Sequence, residues 1–344
     1  MKFKTSLLAI GLGTALLSHS ALAHDLTIVN FGGASGEAQQ IAFIDPLKEK
    51  LGINILNVAY NGEQARVKAM VETNNVVWDV VEVETADIGR GCDEGYYEQL
   101  DWSKLPKDEI MPEAVHACGV GTFVWSTVLA YNAKNLPKTP SSWADFWDVE
   151  TFPGKRALRK GARYNMEFAL MADGVPPSEV YDVLSTPEGV DRAFAKLDQL
   201  KPHIQWWEAG AQPIQMLAAG DVTMSSAYNG RIEAANNEGQ DLSIVWNESI
   251  YDLDYWVIPT GSPNKEQAYE FIRHASSVDA QKAFAAEIAY GPINKQAIAE
   301  LDPKLLANRP NAPENIKNAL LSGYEFWVDH GEELDQRFSA WSAR

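Results

Sequence analysis

Leu26-Thr27-Ile28-Val29-Asn30-Phe31-Gly32-Gly33-Ala34-Ser35-Gly36 decides the fold class of this chain. The first six residues are mainly apolar and β-branched, a run long enough for one buried strand and too short for a buried helix. The glycine-rich segment then breaks the strand, and Ser35 with Glu37 opens a helix through about Lys50, with Ser35 read as its N-cap. Outward from this unit the pattern repeats. Asn54 to Tyr60 reads as a strand, Gln64 to Val76 as a helix, and Trp78-Asp79-Val80-Val81-Glu82-Val83 as a third strand. Buried strands separated by helices imply a parallel sheet covered on both faces.

A second set follows a shift in composition. The apolar run Thr122 to Asn132 leads into Pro137, Pro140 and a helix start at Ser141-Ser142-Trp143. Lys155 to Lys160, Val222 to Tyr228 and Leu242 to Trp246 read as strands. Glu188 to Leu200 reads as a helix, and another begins at Gly230. Tyr255-Trp256-Val257-Ile258-Pro259 closes the set, and from Asn264 the chain is nearly all helix, with Ala268, Phe271, Ile272 and Ala275 on one face. The expected architecture is α/β and two-lobed, with two crossover strands. Residues 24–132 with 258–310 form one lobe, 133–257 the other, and 311–344 are helices packing across both. A ligand belongs in the cleft between lobes, beyond the carboxyl ends of the strands.

Residues 1–23 read as an export signal: Lys2 and Lys4, an apolar run from Ser6 to Leu17, then Ala21-Leu22-Ala23. A cleaved signal implies a periplasmic protein beginning at His24. The formal charge of −18 becomes −20 when the two leader lysines are lost. That sign opposes nucleic-acid binding and tolerates cations and zwitterions. Cys92 and Cys118 make an even pair in an oxidising compartment, most simply one disulfide. No H-E-x-x-H, Walker loop, G-x-S-x-G elbow or dinucleotide fingerprint occurs, and no histidine pair has metal-ligand spacing. Nothing in the sequence positively argues for an enzyme, although paired carboxylates can hide anywhere in a sequence; the expectation is a monomer with no metal or cofactor.

Two charges stand among aromatics: Arg231 after Tyr228-Asn229-Gly230, and Asp254 within Tyr251-Asp252-Leu253-Asp254-Tyr255-Trp256. Opposite charges set apart suit a small ligand with a carboxylate at one end and an ammonium at the other. The bland alternatives are a solvated Arg231 paired with Glu233 or Asp254, and a structural Asp254.

Leu26 to Gly33, Trp78 to Asp101, Thr127 to Trp147, Val222 to Ala235, Ile250 to Pro259 and Ala289 to Asn294 together resemble the periplasmic receptors of ABC importers, specifically the spermidine/putrescine branch of family 1. The resemblance implies a type II periplasmic-binding-protein fold that closes on a ligand and delivers it to a membrane permease, with no catalytic activity. It also implies that Asp254 receives an ammonium, and that Tyr228, Phe31 and Tyr290 flank the ligand's methylenes. The departures from the polyamine pattern are informative. Gly161 and Tyr164 stand where the resemblance implies acids, Ala86 replaces an aromatic, and the helix after Tyr228 opens with Arg231. One pole keeps its anion while the other gains a cation. This looks like the subgroup that binds ω-amino acids, GABA and 5-aminovalerate foremost.

The expected site is Arg231 and Asp254, with Tyr228, Phe31, Tyr290 and one of Trp206 or Trp207 around the methylenes. Arg163 or the amides near Gly33 supplement the carboxylate end, and Asp252 and Glu84 lie near the ammonium. Three rivals remain: a polyamine receptor using Glu84 and Asp252 for the second amine, an exported hydrolase on the same fold, and an iron receptor using Tyr96-Tyr97.

Overall fold

The computed structural model describes residues 26–344, so the expected export signal at 1–23 and its cleavage point lie outside the described residues. β1 (Leu26–Asn30) is buried along its whole length and pairs in parallel with β2 (Ile55–Ala59) and β3 (Val80–Glu84). Helices separate these strands, as a parallel sheet requires. Ser35 is not the N-cap expected. The helix starts at Gly33 behind Gly32, whose φ of 65° reaches the left-handed region that glycine enters without strain. A wider turn at Gln40–Ile44 carries the helix on to Leu51.

After a short β4 (Val115–His116), two long strands organise everything else. β5 (Gly119–Asn132) has 14 residues and β9 (Leu242–Val257) has 16, each long enough to run through two compact units. β9 joins in one strand the run Leu242 to Trp246 and the first three residues of the run Tyr255 to Pro259, which were read separately from sequence. β6 (Arg156–Arg159), β7 (Ile204–Trp207) and β8 (Met224–Tyr228) complete the second unit. The full order is β2-β1-β3-β9-β5-β8-β6-β7, with β10 (Leu320–Leu321) beside β9.

The cores show where one unit gives way to the other. One core holds Leu26 to Val124 and Tyr251 to Ile293; another holds Leu129 to Ile250 and Leu320 to Phe338. A smaller cluster around Trp207, Leu217 and Ile232 lies under the second unit as well. Along β5 the change falls between Val124 and Leu129, at a register shift between Thr127 and Leu129. Residues 132 and 257, read as lobe ends from composition, are the ends of β5 and β9, because each strand keeps pairing after it has crossed.

The helix Tyr324–Ser342 buries Phe326, Trp327, Leu334 and Phe338 in the second core. Its first residue lies on the helix Thr85–Asp93 of the first unit, where a Cβ at Gly89 would stand 3.1 Å from the Tyr324 ring. Cys92 and Cys118 form the expected disulfide, closing 26 residues between that helix and the start of β5. Loop-closure entropy gives such a bond about 3 kcal/mol of stabilisation.

Candidate ligand cleft

β3 and β9 run antiparallel with Glu84 opposite Asp254 and Glu82 opposite Trp256. Side chains alternate along a strand and face each other across a pair, so Glu82, Glu84, Asp252 and Asp254 share one face of the sheet. Glu84 is exposed, whereas the other three are buried. Trp125 Nε1 donates to Asp254 Oδ1 at 3.0 Å. Burial, reinforced by Glu82, Glu84 and Asp252, pushes the Asp254 carboxyl well above the usual range. Glu82 accepts from the Phe31 amide at 3.1 Å and from Gln39 Nε2 at 2.8 Å. Burial pushes its carboxyl up to about 7.

The cationic side comes from the helix Asn229–Asn237 that follows β8. Buried Asn229 fixes its start: Oδ1 accepts from the Ser126 amide at 2.9 Å, and Nδ2 donates to the Ala289 carbonyl. The next residue must be glycine, since a Cβ at Gly230 would stand 2.6 Å from the Tyr290 ring. Arg231 then projects from the first turn, close to Gly210, where a Cβ would meet its Nε at 2.8 Å. Among the described residues no carboxylate lies within ion-pair distance of Arg231, and Glu233 is bonded to Arg309 at 3.2 Å instead.

Both poles open on one cavity of about 670 Å³. Its aromatic wall comprises Phe31, Phe123, Trp125, Tyr228 and Tyr290. Phe123 and Tyr290 stack at 4.7 Å between centroids, and Trp125 meets Tyr228 edge-on at 5.5 Å. Of the residues expected at the site, Phe31, Gly33, Glu84, Tyr228, Arg231, Asp254 and Tyr290 line this cavity. Arg163, Asp252, Trp206 and Trp207 do not.

Each of those four has another partner. Arg163 Nη2 is 2.9 Å from Asp252 Oδ2 and also donates to Ser322. Asp252 further accepts from the Thr85 hydroxyl and the Leu253 amide. Trp206 packs against Phe338 and Trp341. Trp207 is buried, donates to Ser226 Oγ at 3.2 Å and supports Tyr228 from behind. Phe123, which the sequence reading missed, and Trp125, which it could read as either core or cleft lining, lie two apart on β5. Strand alternation would have found them together once the cleft-facing side of β5 was known. Among the described residues no His, Cys, Asp and Glu cluster suits a metal ion.

Two α/β units joined by two continuous strands, with a charged and aromatic cavity between them, define a bilobed solute receptor. The chain belongs to the bacterial extracellular solute-binding protein family, whose model matches residues 42–314. It is 54% identical over 325 residues to the gamma-aminobutyric acid-binding protein of Pseudomonas aeruginosa, covering 94% of this chain and 92% of that one. It is 24% identical over 288 residues to the spermidine/putrescine-binding periplasmic protein of Escherichia coli, covering 80% and 81%. The solved structure of the Atu4243-GABA receptor superposes with a TM-score of 0.83 at 34% identity, covering 93% of this chain and 98% of that one. The fold is the two-lobed periplasmic-binding-protein fold expected from sequence.

Proposed function

We propose that this chain is the periplasmic receptor of an ABC importer and captures a short ω-amino acid, GABA or 5-aminovalerate. Asp254 receives the ammonium, Arg231 receives the carboxylate, and Phe31, Tyr228 and Tyr290 enclose the methylenes. The observation that carries this reading is Arg231: an arginine without an ion-pair partner among the described residues, on the wall of the cavity that Asp254 also lines. A guanidinium grips a carboxylate with two parallel charge-assisted hydrogen bonds. The same group opposes the second ammonium of a diamine. The name of the 54% identical relative supports the same ligand class.

The reading includes closure about the crossover strands, delivery to a membrane permease and no catalysis, all in keeping with a solute-binding family. The acidic charge of the chain agrees with a monomer that avoids nucleic acid. Side-by-side calorimetry with GABA, 5-aminovalerate and putrescine tests the reading, with both amino acids expected to bind far more tightly than the diamine. Putrescine binding as tightly as GABA sinks it and restores the polyamine reading, which the carboxylates on β3 and β9 otherwise favour.

A further inference from the structure

Two buried carboxyl groups close together cannot both carry charge without a cation or a proton between them. Glu82 and Asp254 are such a pair. Glu82 is fully buried behind the cavity wall, Asp254 is 7% exposed at it, and the β3–β9 register makes them diagonal neighbours on one face of the sheet, close enough for each to act on the other's charge. The other donors to the pair are neutral: the Phe31 amide, Gln39 Nε2 and Trp125 Nε1. Tyr60 spends its hydroxyl on the Glu82 carbonyl, with Asp87 and Tyr97 behind it. Glu84 on β3 adds negative charge, and Asp252 on β9 is already matched by Arg163. Arg231 and Tyr290 line the same cavity as Asp254.

We propose that Glu82 and Asp254 hold one proton between them in the ligand-free cleft and release it to solvent when a ligand ammonium docks. The bond that breaks is the carboxyl O–H, the proton passes to water, and the ammonium keeps all three of its own. The inference rests on Asp254 being the ammonium pole, and it makes Glu82 a positioning residue that never touches ligand. Burial raises both carboxyls, Glu82 to about 7. Ligand affinity therefore rises with pH through neutrality, by up to tenfold per unit, and then levels off.

The test has two arms. In the ligand-free protein, infrared difference spectra between about pH 6 and about pH 8 should show, over the Glu167 band common to all variants, a protonated-carboxyl band that wild type loses and that is shifted or absent in E82Q and D254N. Calorimetry with GABA in buffers of different ionisation enthalpy should show up to one proton released near pH 6. For E82Q the release should be smaller and the affinity less dependent on pH, because Asp254 loses the neighbouring charge but keeps its burial. Identical difference spectra in wild type and both variants overturn the proposal whatever the ligand is, as does equal proton release in wild type and E82Q. A wild-type-specific band with no GABA binding supports the shared proton and removes the zwitterion reading instead.

Discussion

Among the described residues Arg231 has no ion-pair partner, and it is exposed on the wall of a half-buried aromatic cavity. R231A should weaken GABA binding by about 2–5 kcal/mol in calorimetry if closure desolvates the ion pair. Thermal stability should be nearly unchanged, because among the described residues the exposed guanidinium has no ion pair to lose. Unaltered affinity in that variant removes Arg231 from the site. Trp125 carries a second prediction. Its indole is a neutral donor to Asp254 at 3.0 Å, so W125F leaves a buried carboxyl oxygen short of a partner. Affinity for GABA should fall by about 1–3 kcal/mol, with the aromatic packing largely retained. An unchanged dissociation constant would show that the ammonium pole does not need that donor.

Among the elements, β9 and the loop after β6 meet through Arg163 and Asp252. The pair joins a second-unit loop to the crossover strand, and Thr85, at the start of a first-unit helix, completes the shell of Asp252. Asp252 is 1% exposed, and Arg163 offsets the upward push that burial exerts on its carboxyl. R163M should therefore destabilise the protein by about 3–5 kcal/mol in chemical denaturation at neutral pH, because it strands a buried charge. The loss should shrink in acid, where Asp252 takes a proton. A variant as stable as wild type would show that Arg163 does not neutralise Asp252. The departure from the polyamine pattern at Gly161 to Tyr164 thus places a cation at the crossover and not in the cavity.

For the whole molecule, buried acids make stability depend on pH in a direction opposite to ordinary surface carboxylates. Glu167 accepts from the Tyr181 hydroxyl and from Trp327 Nε1, and burial pushes it up to about 7. An acid whose folded value is raised binds its proton more tightly in the folded state. Its contribution is complete below the unfolded value, about 4.3, and is lost as pH rises through 7. For Glu167 the loss is on the order of 3 kcal/mol. The ligand-free melting temperature should fall from about pH 6 to about pH 8, and E167Q should flatten that slope. A melting temperature that rises over this range in wild type contradicts the sign.

What the sequence determined by itself was local. Short apolar, β-branched runs and helical spacings marked β1 and its neighbours, since the burial of each segment is written into its own residues. The cysteine pair and the two charged positions on the cavity were legible as well, because few residue types can do those jobs. Tertiary structure alone decided which charges meet. The β3–β9 register sets Glu84 against Asp254 across 170 positions and brings Glu82 diagonally beside the same aspartate. Arg163 finds Asp252, and Trp206 turns to the C-terminal helix. A residue's spacing tells which face it occupies, but what stands opposite that face depends on the pairing of distant strands.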